Sequence, residues 1–418
     1  MKGSGMLKQI PLGIMMSILI STHTHAEFFQ DDKFKIDLRN FYFERTFSNP
    51  QSHDLGSWSQ SINALYQSGY TDTAIQMGTD FSLRYAFRLN DKNEQLSDTN
   101  FPYDTQDNKL KESYGKYGVT LKFKYKDTEL KVGELNPKNP IVFIDTSRQL
   151  PTSYAGVMLE SKEIKNLNIN MGRITHINAR NDDQYEKLSL LRSGPRYESD
   201  GLNFIGLDYK FSEYFSGSYW FGQLEDIYQQ NYLGLAYTKQ FEQSKLKIES
   251  SYFYNVEDGK NLYGEIDSQA VGLMGTYYKY DNQLSIGVQK NMGKDIFPTL
   301  AGYPPQPYLQ AWSNLPFYNP EELTWHLNYI HDFKNHGMDG FKTRLGYHYG
   351  HNIKRPGLND NKEEETIVGL IYAVPEGKFK GLSLEWRYTQ TDTRYGIENN
   401  SGNSFKENRV ITTYEFKF

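Results

Sequence analysis

From Lys33 to the C-terminus, apolar and polar side chains change places with a period of two, the pattern of an extended strand with one face in an apolar medium and the other in a polar one. Phe34, Ile36 and Leu38 alternate with Lys35, Asp37 and Arg39; Phe81, Leu83, Tyr85 and Phe87 alternate with Asp80, Ser82, Arg84 and Arg88. Tyr117, Val119, Leu121, Phe123 and Tyr125 oppose Lys116, Thr120, Lys122, Lys124 and Lys126, a greasy aromatic face against a basic one. Continued along the chain, this rhythm predicts strands over 33–47, 58–67, 73–88, 116–125, 129–135, 154–161, 167–174, 202–211 and 216–224. It predicts nine more over 232–241, 245–255, 267–279, 283–291, 323–333, 341–352, 365–374, 381–392 and 408–418. The total is even, about 18.

The connections sort by length. Short turns such as Lys126-Asp127-Thr128 and Ser68 to Asp72 largely alternate with long polar or Pro-rich segments over 90–113, 136–153, 176–201 and 292–322. Outer-membrane barrels have short periplasmic turns and long external loops, whereas a soluble sandwich has no reason to sort them. The last strand has the first as its available partner, and closure removes the sheet edges. The expected fold class is therefore all-β, a transmembrane antiparallel β-barrel. The third external-side connection, 136–153, is broken by Pro137, Pro140 and Pro151. Bare backbone cannot face lipid, so this segment either leaves the membrane or folds inward to narrow a pore.

Composition agrees with a barrel. A chain of 418 residues would ordinarily make two or three soluble domains, yet 15% aromatic content comes with a mean hydropathy of -0.71. An alternating barrel gives such an average without a large apolar interior. After residue 30 no run approaches the roughly 20 apolar residues of a membrane helix. The absence of cysteine excludes disulfides, Cys-based zinc sites and thiol nucleophiles. Residues 1–26 read as a secretory signal peptide: Lys2 and Lys8, the apolar run Ile10 to Ile20, then Thr24-His25-Ala26 before a cut preceding Glu27. The mature domain would be 27–418, exported through the periplasm to the bacterial outer membrane. Without Lys2 and Lys8 the formal net charge moves from -5 to -7, which excludes a basic nucleic-acid binder. At the C-terminus Val410, Thr412, Tyr414, Phe416 and Phe418 share one face, and Tyr414, Phe416 and Phe418 form the kind of terminal aromatic signal that barrel assembly machinery reads.

With aromatic and aliphatic residues facing lipid, the opposite positions line the lumen, and by parity they include Lys35, Arg39, Arg84, Lys122, Lys124, Lys247, Lys342, Arg344, Arg387 and Arg409. Acids such as Asp182-Asp183 and Glu363-Glu364-Glu365 are assigned to loops. Like charges in a narrow wet channel focus a positive potential and guide carboxylates. The bland alternative is that barrel lumens commonly hold mixed charges paired across strands, with no role toward a solute.

Several ordered motifs resemble the OprD family of substrate-specific outer-membrane porins. They are Leu38-Arg39-Asn40-Phe41-Tyr42-Phe43, Thr128-Glu129-Leu130-Lys131-Val132-Gly133, Asn136-Pro137-Lys138, Arg148-Gln149-Leu150-Pro151, Glu163-Ile164-Lys165-Asn166-Leu167, Gly381 to Arg387, and Glu407-Asn408-Arg409. The resemblance spans essentially the whole mature chain. It implies a monomeric barrel of 18 strands whose third external loop folds in as a constriction, with an arginine ladder on the wall that takes carboxylated solutes such as amino acids and small organic acids. Arg148 matches the constriction-loop arginine; Arg39, Arg387 and Arg409 fall on ladder positions. Glu385 and Ile411 stand where members taking basic amino acids carry arginine, so the ladder is thinner here. Within the loop, Lys138 and Asp145 complete the charged set, and Asp145 is placed to meet a solute's ammonium group or to close a local salt bridge.

Two other classes compete. One is an outer-membrane hydrolase, but there is no G-x-S-x-G elbow, H-E-x-x-H or phosphate loop, and His348 and His351 point to opposite faces of an extended strand. No metal or cofactor is expected. The other is a plugged or adhesive barrel acting through its external loops, for which 292–322 supplies Phe297, Tyr303, Tyr308, Trp312, Phe317 and Tyr318.

Overall fold

The computed structural model describes residues 31–90, 100–104, 109–395 and 404–418. The signal peptide expected over 1–26 lies outside the described residues. Eighteen long strands follow one another. They are β1 (Lys33–Phe47), β2 (Leu55–Gln67), β3 (Gln76–Arg88), β4 (Ser113–Tyr125), β5 (Thr128–Leu135), β6 (Ser153–Ser161), β7 (Leu167–Asn178), β8 (Leu202–Lys210) and β9 (Phe215–Leu224). The second half comprises β10 (Tyr228–Gln240), β11 (Ser244–Glu257), β12 (Asp267–Lys279), β13 (Asn282–Gly293), β14 (Leu323–Asp332), β15 (Phe341–His351), β16 (Lys362–Ala373), β17 (Leu382–Arg394) and β18 (Phe405–Lys417). Each pairs antiparallel with the next, and β1 pairs with β18 from Lys35↔Lys417 to Phe47↔Phe405, which closes the sheet. Two-residue strands decorate this wall: Glu186–Lys187 extends the end of β7, and Tyr103–Asp104 pairs with Lys109–Leu110.

The burial pattern is that of a molecule turned inside out. On β4, Tyr117 is 79% exposed and Val119, Leu121 and Tyr125 are also exposed, while Lys116 is only 2% exposed and Thr120 and Lys122 are buried. The same holds around the wall at Leu83, Tyr219, Leu233, Leu273, Ile286, Trp325 and Leu345, all exposed. A soluble monomer rarely shows more than a few hundred Å² of contiguous apolar surface. A continuous apolar belt on a closed barrel is satisfied by lipid.

Strand ends differ from the sequence expectation where side chains rewrite the backbone. The strand expected from residue 73 starts at Gln76, because Thr73 donates its hydroxyl to the Ile75 carbonyl at 2.6 Å and the Met77 amide donates to the Thr71 hydroxyl at 2.9 Å, holding a turn. Glu363-Glu364-Glu365 is not a loop: β16 begins at Lys362, and Glu363 and Glu365 face inward, 1% and 0% exposed. Three consecutive acids suggest a solvated loop, whereas the strand sends Glu363 and Glu365 inward and Glu364 to the other face.

The connections at the end opposite the two termini are numbered loops 1 to 9. Loop 3 spans 136–152, loop 4 spans 179–201, loop 6 spans 258–266, loop 7 spans 294–322 and loop 8 spans 352–361. The apolar core sits inside the barrel beneath these loops. Ile141 and Val142 of loop 3, Leu188 and Leu190 of loop 4, and Phe297, Leu300 and Leu309 of loop 7 pack against Trp220, Tyr232 and Phe253 on the inner wall.

Candidate functional site

Loop 3 leaves β5 at Leu135 and returns at Ser153, and its neck is tied where the Asp145 amide donates to the Thr152 hydroxyl at 2.7 Å and the Thr152 amide to the Asp145 carbonyl at 2.9 Å. The Asn139 side-chain oxygen accepts from the amides of Ile141 and Val142, both at 2.9 Å, and turns these two apolar residues toward the wall. Ile141 seats against Gly222 of β9, where a Cβ would stand on its side chain. At the other side, Arg39 of β1 donates to the carbonyls of Arg148 and Thr146 at 2.8 and 3.3 Å, and Gln149 donates to the Arg39 carbonyl at 3.0 Å. With its two anchors on β9 and β1, halfway round the barrel from each other, loop 3 crosses the lumen.

Between loop 3 and the wall lies a cavity of about 230 Å³ lined by six arginines: Arg45 from β1, Arg148 from loop 3, Arg180 from loop 4, Arg344 from β15, Arg387 from β17 and Arg409 from β18. Among the described residues Asp145 is the one acid in this lining. Register explains how the wall members meet. Arg344 lies opposite Gly369, Gly369 opposite Arg387, and Arg387 opposite Arg409, a single row across four strands. Like charges directly opposed on neighbouring strands are unfavourable, so this row is held by what surrounds it. Glu407 takes Arg45 at 2.7 Å and also Arg409, which reaches Asn314 of loop 7 at 3.0 Å; Glu385 takes Arg387. Arg180 meets Asp145 at 3.3 Å and the Ser147 hydroxyl at 2.9 Å. Arg344 bonds the neutral Asn328 at 3.3 Å. Burial works against the Asp145 carboxylate, yet Arg180 and the amide and hydroxyl of Ser147 hold its pKa below the ordinary value of 3.8. The six guanidinium groups outnumber the four carboxylates around them, Asp145, Glu365, Glu385 and Glu407.

Loop 7 forms the opposite lip and contributes Trp312, Ser313 and Asn314 to the lining. It is seated on inward carboxylates of β16. Glu365 accepts from the Ser313 hydroxyl at 2.6 Å, the Leu315 amide at 2.7 Å and the Asn314 side chain at 3.0 Å; Glu363 accepts from Asn319 at 2.9 Å and Tyr395 at 2.6 Å. Glu322, at the foot of the loop, shares Asn319 with Glu363, and burial together with the Glu363 charge raises its pKa above the ordinary 4.5.

Residues 26–418 match the profile described as outer membrane porin, OprD family. The chain belongs to the OprD family of outer membrane porins. This porin is 29% identical over 392 residues to the porin-like protein GalP of Pseudomonas putida, covering 93% of each chain. It is 25% identical over 419 residues to Porin D of Pseudomonas aeruginosa, covering 93% of this chain and 91% of that one. Among solved structures, OccAB4 of Acinetobacter baumannii superposes with a TM-score of 0.87 at 34% identity, over 93% of this chain and 98% of its own. Pseudomonas aeruginosa OpdK solved with vanillate gives 0.85 at 28% identity, over 94% and 100%. The porin is thus an outer-membrane channel, and its family and fold are those of channels rather than enzymes.

Of the porin's expected site residues, Arg148, Asp145, Arg344, Arg387 and Arg409 converge on the cavity, and Arg39 braces the loop that closes it. Others stand apart. Arg84 is held by Glu134 at 2.8 Å, Lys122 by Asp80 at 2.6 Å, and Lys124 lies 5.7 Å over the Tyr70 ring. Lys138 is exposed on loop 3, where its carbonyl accepts from Tyr308 at 3.1 Å. Lys35, Lys247 and Lys342 are paired with Asp37, Glu249 and Asp332. Arg45 was legible by continuing the parity of β1 past Arg39, but the inward Phe41 and Phe43 between them break the rule that aromatics face lipid. These two pack on Ile411, so an apolar patch occupies that step of the ladder. Arg180 and Asn314 sit on loops, where parity carries no signal. Among the described residues no group of three His, Asp or Glu side chains is placed to hold a metal.

Proposed function

We propose that this channel admits small carboxylate-bearing solutes, amino acids and organic acids among them, by passive diffusion through the arginine-lined constriction. The observation that carries the reading is the row Arg344, Arg387, Arg409 facing Arg148 across a cavity of about 230 Å³, with a single acid in the lining. Guanidinium stays charged at every relevant pH and presents a planar fork that matches two carboxylate oxygens. Transport requires that no one site hold too tightly, and a row of partly neutralised arginines offers several modest sites in sequence. Vanillate, the solute named with a structural neighbour, is itself a small carboxylate. Within the same reading, the chain is exported by its first 26 residues, inserted by machinery that reads Tyr414, Phe416 and Phe418, and works as a monomer.

Arg148→Gln tests the proposal in proteoliposomes. Losing one charge-assisted hydrogen bond, about 1.5 kcal/mol, lowers carboxylate uptake about tenfold and leaves a neutral sugar of similar size within about twofold. An equal loss for both solutes rejects a charge-selective role. Passage of neither solute through the unmodified protein rejects the channel reading of the constriction in favour of a plug.

A further inference from the structure

We propose that the outer vestibule carries a second anion site, a capture basin for flat aromatic carboxylates upstream of the arginine cavity. The inference rests on the reading that carboxylates are the solutes, and it places their first contact in a different part of the molecule. A cavity of about 1000 Å³ lies among loops 4, 6, 7 and 8. Its charged lining is Arg192, Lys294, Lys354 and Arg355 against the single acid Asp295. Arg192 meets Asp295 only at 3.9 Å, the outer limit of an ion pair. Lys294 and Lys354 are exposed and form no ion pair among the described residues. Glu321, the acid whose charge Lys354 feels, is already held by Lys290 at 2.9 Å.

The remaining wall is aromatic and braced. Tyr197 and Tyr263 meet edge to face at 5.2 Å, and the Tyr263 hydroxyl accepts from the Tyr197 amide at 2.9 Å, which locks loop 4 to loop 6. The Arg355 guanidinium lies 3.5 Å over the Tyr395 ring and donates to Asn319 at 3.3 Å, so its charge is held in place. Ring faces and a fixed guanidinium suit a flat solute, and the lysines suit its carboxylate. The basin is wide and wet, so binding is weak, as a capture step that must hand its solute onward requires.

One contact joins this basin to the cavity below. Tyr318 lines the basin, Trp312 lines the arginine cavity, and the two rings stack at 5.6 Å with an interplanar angle of 23°. The stack is the partition between the two sites. It gives an aromatic solute ring surface on both sides while its carboxylate exchanges one set of cations for the next.

The test is benzoate-induced interruption of single-channel current, with benzamide as the uncharged control and solute added to either face. In Lys294→Gln/Lys354→Gln, two exposed loop substitutions whose folding is checked by the open-channel conductance, the association rate of benzoate from the loop face falls on the order of tenfold. The event duration and the rate from the turn face stay unchanged. Raising salt from about 0.1 to about 1 M slows the unmodified protein from the loop face far more than the variant, as screening requires. Arg148→Gln, in contrast, shortens the events, since it acts on the inner site. An unchanged loop-face rate in the double variant, or an equal fall from both faces, overturns the basin and leaves the inner site standing. Absence of benzoate events in the unmodified protein from either face overturns both.

Discussion

Replacing Glu365 with alanine detaches the middle of loop 7 from the wall, raises the open-channel conductance and weakens the proposed preference for carboxylates. Glu365 is fully buried and is the common acceptor for Ser313, Asn314 and Leu315. These residues follow Trp312, and Ser313 and Asn314 line the arginine cavity. Alanine removes four hydrogen bonds to a buried carboxylate and leaves the Asn314 and Leu315 amides without that acceptor, a loss of roughly 3 kcal/mol or more. Leu315, Phe317 and Ala311 still pack with Phe405, so the barrel stays closed and the effect is confined to the lip. Glu365→Gln keeps one carbonyl acceptor and falls between the two. Single-channel recording checks this: conductance in the order Ala above Gln above unmodified protein is expected, and an unchanged conductance in the alanine variant shows that loop 7 is seated by its apolar contacts alone.

Removing Glu134 should cost the barrel about 3–5 kcal/mol of stability. Two nitrogens of Arg84 reach its oxygens at 2.8 and 3.0 Å, and Ser82 adds a third bond at 2.7 Å, with both charged side chains almost fully buried. The pair spans from β3 to β5 across Gly118 of β4, where a Cβ would stand on the Glu134 carboxylate. Glu134→Ala leaves the Arg84 guanidinium buried without its counter-charge, a loss of about 3–5 kcal/mol. Gly118→Ala destabilises by the same route, since it displaces the carboxylate. A joint change, Arg84→Met with Glu134→Leu, recovers most of the loss because it removes both charges together. The temperature at which detergent-solubilised protein loses its folded electrophoretic mobility reports all three. A double variant no better than Glu134→Ala would mean that the site needs its charge and not merely its neutrality.

The barrel was legible because a lipid-facing strand writes its exposure directly into alternate residues. Tyr117, Val119 and Leu121 are outside and Lys116, Thr120 and Lys122 inside, as the period of two requires. The even strand number and the inward third loop followed from the sorting of connections and from family resemblance. The lumen was harder to read, because its residues answer to one another rather than to a single solvent. Arg84 and Arg344 carry the same parity signal, yet one is neutralised by Glu134 and the other faces the cavity with Asn328 as its side-chain hydrogen-bond partner among the described residues. Parity gives the direction of a side chain; the identity of its neighbour depends on register several strands away. Glu363 and Glu365 show the same limit, since three consecutive acids look like a solvated loop until the loop they hold is folded onto them.

At the six-arginine constriction we propose selection of solutes by their carboxylate. It is tested most directly by the swelling rate of proteoliposomes containing the unmodified porin in paired solutes that differ only there, benzoate against benzamide. The carboxylate is expected to enter on the order of tenfold faster, in keeping with a focused positive potential, with a ratio that falls toward one as salt is raised. Equal rates for the two solutes at low salt would contradict it.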